Sequence, residues 1–475
     1  MPERLAPDIC VIGAGSGGLA VAAAAAAFGV PAILIERGKM GGDCLNYGCV
    51  PSKSLLAAAR HAAAIARAAD FGVSSGPVQV DFAKVRDHVR GVIAAIAPND
   101  SKARFTGLGV RVLDGTARFI DAATVAIGDA FEIKARRFVI ATGSSPAIPP
   151  IPGLAATPHF TNETIFDLAE CPSHLIVIGA GPVGLELAQA FRALGAGVTV
   201  IEAATPLAND DPECAAVVLD QLARDGVVIR DGAAIQRVGR VDGNLQVTIG
   251  GATGEETLAG SHLLVAAGRS PNIADLGLDR AGIRFGPRGI VVDRGLRTTN
   301  KRVYAIGDVA GGPQFTHAAS YHAGLVIRNA LFRLPVRVDD DIIPRVTFTE
   351  PELAHVGVSE AEARRRAVRF RVLRWPYREN DRAQAERATE GHIKVITTRH
   401  GRILGATIVG RSAGELIATW ALAISQRLNI RTFAGTVVAY PTLAEIGKRA
   451  AITYFTASLT HPMVRRIIIW LRRFG

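Results

Sequence analysis

Cys44 and Cys49 stand five residues apart in the segment Gly41-Gly42-Asp43-Cys44-Leu45-Asn46-Tyr47-Gly48-Cys49-Val50-Pro51-Ser52-Lys53. Thiols so close support either reversible dithiol–disulfide exchange or metal ligation. A zinc site would need a second cysteine pair or a nearby histidine. Neither accompanies the segment, so the spacing points to redox chemistry and no metal site is expected. In a regular α-helix, residues five apart are separated by about 7.5 Å along the axis. A disulfide needs Cα atoms about 4.4–6.8 Å apart. A bond here therefore demands irregular backbone between the cysteines, which Gly48 can provide. Pro51 suits the opening of a helix that continues through the alanine-rich stretch to Ala69. The positive end of that helix would favour a thiolate nearby. Cys10, Cys171 and Cys214 have no comparable setting and read as inert.

The elements that must position such a pair appear twice. Asp8–Ile12 reads as a buried strand, followed by Gly13-Ala-Gly15-Ser-Gly17-Gly18, a helix to Phe28, and a second strand, Ala32–Ile35, ending in Glu36. Later, Leu175–Ile178 leads into Gly179-Ala-Gly181-Pro-Val-Gly184, a helix through Leu194, and strand Val198–Ile201 ending in Glu202. Gly13, Gly15, Gly18 and Glu36 map onto Gly179, Gly181, Gly184 and Glu202 at a constant offset of 166 residues. This is the spacing of a dinucleotide site. The first glycine permits a tight turn, the second lets backbone approach a pyrophosphate, and the third lets helix pack on strand. The acid can accept hydrogen bonds from ribose hydroxyls. A lone glycine motif would be weak, but strand, glycines, helix, strand and acid recur in order. Glu202 favours the free 2′-hydroxyl of NADH over the 2′-phosphate of NADPH, because Ala203 to Ala208 offer no Lys or Arg.

Further glycine punctuation follows. Val139-Ile-Ala-Thr142-Gly143 and Leu264-Val-Ala-Ala-Gly268 each end an apolar strand in a small-residue turn, as where a chain crosses between domains. Val303-Tyr-Ala-Ile-Gly307-Asp308 is another buried strand, and Asp308 is placed to hold a sugar or ribityl hydroxyl.

The 475 residues, 49% hydrophobic and 20% charged, suffice for about three globular domains. The net charge of +11 is spread along the chain without any nucleic-acid-binding motif. We read it as solubility and attraction for phosphate-bearing cofactors, not nucleic-acid binding. Glycines and Pro31 interrupt the charge-free stretch Ile9–Ile35, so it reads as strand, turn, helix and strand, not a membrane span. An odd number of cysteines and a strand beginning at Asp8 suggest a cytoplasmic protein.

With GGDCLNYGCVPSK lying between two dinucleotide fingerprints, the chain resembles the FAD-dependent pyridine nucleotide–disulfide oxidoreductases from Asp8 to about Ala451. That family includes dihydrolipoamide dehydrogenase, glutathione reductase and mercuric reductase. The resemblance implies an α/β fold of two Rossmann-like domains, for FAD and NAD(P), plus an α+β dimerisation domain. The segments would be 1–152 (FAD), 153–267 (NAD(P)), 268–342 (FAD again) and 343–475 (dimerisation, with a basic amphipathic tail). It implies FAD at the first fingerprint, with Gly42, Thr142, Gly143, Gly268, Asp308 and Ala318 among the cofactor-binding residues. Thr316-His317-Ala318-Ala319 matches the stretch along the flavin's pyrimidine edge, His317 being structural. Cys49 would be the sulfur at the flavin and Cys44 the thiol that exchanges with substrate. Lys53 would sit near the flavin with Glu186 as its ion-pair partner, and the protein would be a homodimer.

One position departs from the disulfide reductases. Where they carry His-Pro-Thr-x-x-Glu, this chain has Tyr440-Pro441-Thr442-Leu443-Ala444-Glu445. Imidazole titrates near 6.5 and can shuttle a proton at neutral pH, whereas a phenol, near 10, is a poor base. Losing a general base costs about 10²–10⁴-fold. His461-Pro462 lacks the Thr-x-x-Glu and is read as a decoy. Mercuric reductases resemble the chain in carrying tyrosine there, and a soft metal ion held by thiolates needs electrons more than a proton shuttle. The chain nevertheless ends Arg472-Arg473-Phe474-Gly475, without the paired cysteines of those enzymes. The expectation is thus a mercuric reductase-like enzyme acting on a thiol-bound metal or small disulfide. A lipoamide dehydrogenase-like enzyme, a quinone reductase and a flavin-bearing redox sensor are the alternatives. The tail, Met463 to Phe474, either packs on the dimerisation domain or lies on an anionic membrane surface.

Overall fold

The computed structural model describes residues 1–251, 254–456 and 462–474. Two compact units form, one from Met1–Thr205 with Gly226–Val338, the other from Pro206–Asp225 with Asp339–Gly475.

The first unit holds both dinucleotide folds. Ile9–Ile12 is almost wholly buried, with no polar alternation, as a strand covered on both faces requires. It forms the centre of a five-stranded parallel sheet ordered Val303–Ala305, Arg137–Ile140, Ile9–Ile12, Ala32–Glu36 and Arg111–Asp114. The return of Val303–Ala305 to this sheet closes the first fold after the second has been inserted. The inserted fold repeats the pattern with Val227–Arg230, Gly197–Ile201, His174–Ile178 and His262–Val265, again all parallel. The helix Ser16–Ala27 follows the first glycines, and Pro182–Ala193 follows the second. Where the chain passes between the folds, Ser144–Pro146 pairs antiparallel with Arg269–Pro271.

The second unit is α+β. Its five-stranded antiparallel sheet runs Arg345–Thr347, Glu352–Gly357, Ile403–Gly410, His392–Thr398 and Phe370–Pro376. Ala413–Ser425 and Glu445–Thr453 cover it, burying Ile417, Trp420, Ile446 and Ala450. Helix Pro212–Arg224 lies in sequence within the second dinucleotide fold yet groups with this sheet. Electrostatics explains the tie, since buried Lys394 places its ammonium 2.6 Å from both Asp211 and Glu360. Cys214 on this helix is fully buried beside His392, and burial pushes its thiol up, as an inert role requires.

Candidate active site

Gly41 and Gly42 both take positive φ, and they turn the chain from the first fold into the short helix Gly42–Asn46. A side chain at Gly42 would come within 2.7 Å of Gly15 Cα, so only glycine lets this segment lie against the first fingerprint. Asn46 locks the turn by donating to the carbonyls of Met40 and Gly42 at 3.0 and 2.8 Å. The helix breaks at Tyr47 and Gly48 and restarts as Cys49–Ala66. Gly48 does supply the irregular backbone, with φ −115° and ψ −112°, and a Cβ there would lie 2.9 Å from Asp43 Oδ2. Cys49 is the first residue of this helix and Pro51 its third, within the opening turn. Proline is tolerated there because first-turn N–H groups have no helical acceptor. The far end is earlier than expected, at Ala66, followed by a short 3₁₀ turn, Ala68–Phe71.

Both cysteines are free thiols, Cys44 half-buried and Cys49 exposed at the helix start. A hydrogen bond from Cys44 is the main cause that draws the Cys49 thiol down to about 6. Burial opposes the shift, while the Thr316 hydroxyl, 3.6 Å from the sulfur, and the positive charge of Lys53 assist it. The same hydrogen bond, with burial, pushes Cys44 up. The reduced pair is therefore asymmetric at neutral pH, with a Cys49 thiolate held by a Cys44 thiol.

Lys53 lies one helical turn beyond Cys49, on the same face. Its ammonium is 2.7 Å from the buried carboxylate of Glu186, on the helix after the second fingerprint. The structure thus joins the redox helix to the second dinucleotide fold through this ion pair.

The glycines test whether dinucleotides fit. A Cβ at Gly13 would meet Ala141 O at 2.5 Å, and one at Gly18 would meet Gly13 O at 1.9 Å. Gly179 and Gly184 repeat these contacts with Ala266 O at 2.5 Å and Gly179 O at 2.0 Å. These four are bare because protein backbone fills the space. Gly15 and Gly181 differ, since a Cβ there would meet nothing within 4 Å. Their bareness leaves room over a helix N-terminus, where a pyrophosphate fits. Each acid is held alike: Glu36 accepts from the N–H groups of Ala14 and Gly38 at 2.6 and 2.7 Å, and Glu202 from Ala180 and Ala204 at 2.8 and 2.9 Å. One backbone bond per oxygen leaves lone pairs for ribose hydroxyls.

Ser144 donates to Asp308 at 2.5 Å, and burial raises the carboxyl of Asp308. Arg269 donates to the hydroxyl and carbonyl of Ser144, both at 2.7 Å, and pairs with Asp43 at 3.2 Å, next to Cys44. Thr142 exchanges hydrogen bonds with Asn272, donating its hydroxyl at 2.8 Å and accepting through its carbonyl at 2.9 Å. Gly143 and Gly268 take positive φ at this crossover. Ala318 is fully buried. Helix Thr316–Ala330 turns it inward, and Thr316 is the member of that stretch that reaches the sulfur. His317 stacks on Phe315, the rings 5.2 Å apart and nearly parallel.

Tyr440 and Glu445 belong to the second unit. Tyr440 is 69% exposed and donates its hydroxyl to Asp381 at 2.9 Å. That bond and the Asp381 charge raise its phenol further, making it a still poorer base. Glu445 is the first residue of helix Glu445–Thr453. His461 lies outside the described residues. Sequence reasoning missed Arg269, Ser144 and Asn272, which no local motif marks.

Residues 7–323 match the model of the pyridine nucleotide-disulphide oxidoreductases, and residues 343–451 match the dimerisation domain of the same family. The chain belongs to the pyridine nucleotide-disulphide oxidoreductases. It is similar to a mercuric reductase of Streptomyces lividans, 35% identical over 94% of this chain and 96% of that protein. A dihydrolipoyl dehydrogenase of Geobacillus stearothermophilus is 34% identical over 94% of this chain and 95% of its own length. Among solved structures it is similar to LpdA from Mycobacterium tuberculosis, with TM-score 0.85, 29% identity and coverage of 95% and 99% of the two chains. The Cu(II) complex of the HOCl-induced flavoprotein disulfide reductase RclA from Escherichia coli has TM-score 0.83, 28% identity and coverage of 93% and 98%. This pyridine nucleotide-disulphide oxidoreductase is accordingly an FAD-dependent oxidoreductase that uses NAD(P)H, with a family dimerisation domain. Its two glycine cradles fit the two dinucleotides.

Proposed function

We propose that the protein uses NADH to reduce a thiol-bound metal ion or a small disulfide through Cys44 and Cys49, in the manner of a mercuric reductase. FAD, when bound, supplies two-electron exchange between a nicotinamide and the sulfur pair. The first cradle, with Gly13, Gly15, Gly18, Glu36, Gly42, Thr142, Gly143 and Asp308, would hold FAD. The second, with Gly179, Gly181, Gly184, Glu202 and Gly268, would hold the nicotinamide cofactor. Preference for NADH rests on Glu202, because Ala203 to Ala208 offer no Lys or Arg to hold a 2′-phosphate. Lys53, neutralised by Glu186, positions the redox helix, and Thr316 stabilises the Cys49 thiolate. For a disulfide acceptor the balance is NADH, one proton and a disulfide giving NAD⁺ and a dithiol.

The observation that carries the choice of acceptor is Tyr440. Where a disulfide reductase needs a base, this chain has an exposed phenol whose proton is held toward Asp381. A metal ion taking electrons from thiolates has no such requirement. A lipoamide dehydrogenase-like activity is the second reading, favoured by the similarity to dihydrolipoyl dehydrogenases. Anaerobic reduction with NADH, followed by Hg²⁺, lipoamide, glutathione disulfide and quinones, tests the proposal by flavin reoxidation. Rapid reoxidation by Hg²⁺ supports it, and faster reoxidation by lipoamide would favour the second reading.

We place the enzyme in the cytoplasm as a homodimer built through 343–475, with its dinucleotide folds divided as 1–152, 153–267 and 268–342. The helix Pro462–Leu471 gives it a peripheral contact with a membrane. No helix among the described residues is long and apolar enough to cross one.

A further inference from the structure

The helix Pro462–Leu471 lies beyond the residues matched by the dimerisation family, and none of its side chains is buried. Hydrogen bonds from Arg472 to Ile468 and from Phe474 to Leu471 continue its turn. At about 100° per residue, Trp470, Met463, Phe474, Ile467, Leu471, Val464 and Ile468 fall in one arc of roughly 160°. Trp470 and Phe474, four residues apart, confirm the shared face with ring centroids at 4.8 Å. Arg465, Arg466, Arg472 and Arg473 fall in the opposite arc, of about 120°, broken only by Ile469. No Asp or Glu follows Glu445 in the sequence, so the segment carries basic charge alone. Ten residues rise about 15 Å, half a bilayer core, which rules out spanning.

We propose that this helix lies in the plane of an anionic lipid surface, with its apolar arc among the acyl chains and its arginines on the headgroup phosphates. The proposal rests on the membrane contact given above and names its partner. Charge complementarity decides the occupant. A protein groove would cover the apolar arc alone, whereas a leaflet of acidic lipids covers the arc and neutralises all four arginines together. Trp470 sits at the border of the two arcs, the level where indole rings favour a membrane interface.

Flotation of the flavin-loaded full-length enzyme with vesicles tests this, using phosphatidylcholine alone or mixed with phosphatidylglycerol. Enzyme should float with the acidic vesicles, with Trp470 emission shifted to the blue, and be released by high salt. I467S/L471S should abolish flotation by breaking the arc at unchanged charge. R465Q, R466Q, R472Q and R473Q should each weaken it about five-fold. NADH-driven flavin reduction should stay unchanged in all of them. Equal flotation with neutral vesicles would overturn the anionic partner while leaving a membrane contact standing. No flotation by folded, NADH-reducible enzyme would overturn both. Loss of the dimer in I467S/L471S, without flotation of the parent, would assign the arc to a second copy.

Discussion

The two dinucleotide folds are alike down to single hydrogen bonds, yet only one of them carries redox sulfur. Glu36 and Glu202 hold equivalent backbone N–H groups, and the outer glycines of each turn are filled by equivalent backbone. They diverge after the acid. The first fold runs on through Gly41 and Gly42 to a broken helix bearing Cys44 and Cys49, while the second contributes Glu186 to hold Lys53 of that helix. The repeat provides two cradles, and the segment packed against Gly15 bears the sulfur. The repeat is scaffold and the exception is the site.

The sharpest way to break this comparison is at sulfur. Cys49→Ser or Cys44→Ser should lower NADH-driven acceptor reduction on the order of 10⁴-fold, because the cysteines act as one unit. Flavin reduction by NADH in a stopped-flow trace should survive. Next come the middle glycines, whose substitution the fold itself tolerates. Gly181→Leu should raise the NADH KM by about 10²-fold at unchanged flavin content, as roughly 3 kcal/mol of binding is lost. Gly15→Leu should instead yield protein purified without flavin. If both variants behaved alike, the two cradles would not be functionally distinct.

Tyr440→His sharpens the assignment of acceptor. Restoring a neutral-pH base should raise dihydrolipoamide turnover about 10²-fold. Steady-state rates that do not rise would show that the phenol is not what limits disulfide chemistry. The smallest effect concerns the thiolate. Alkylation of reduced enzyme at Cys49 should stay fast down to about pH 6 and fall below it, since the reactive anion is lost as pH drops through the lowered value. Thr316→Ala or Lys53→Met removes a stabiliser of the anion, so the midpoint should rise by about one unit. An unmoved midpoint would leave the Cys44 thiol as its sole cause.

The scaffold was legible in the sequence because its signals are local. Strand, glycine turn, helix and acid fall within a few dozen residues, and the need for irregular backbone at Gly48 followed from helix geometry alone. Pro51 marked the opening turn of the redox helix, and the structure puts Cys49 as its first residue. The stretch from Thr316 to Ala319 shows a related limit of local pattern. A helix turns each side chain of such a stretch a different way, and here Thr316 faces the sulfur while Ala318 is buried. Arg269, which links Asp43 to Ser144 across more than a hundred residues, had no sequence signal at all. Such contacts become visible only when the fold closes.

Thiol counting under anaerobic conditions tests the central claim most directly. Oxidised holoenzyme is given NADH, quenched with an alkylating agent, and mapped by peptide mass. Labelling that appears at Cys44 and Cys49 only after NADH, and leaves Cys10, Cys171 and Cys214 unchanged, is the predicted result. A flavin that bleaches fully while both cysteines keep the same labelling before and after would contradict the account.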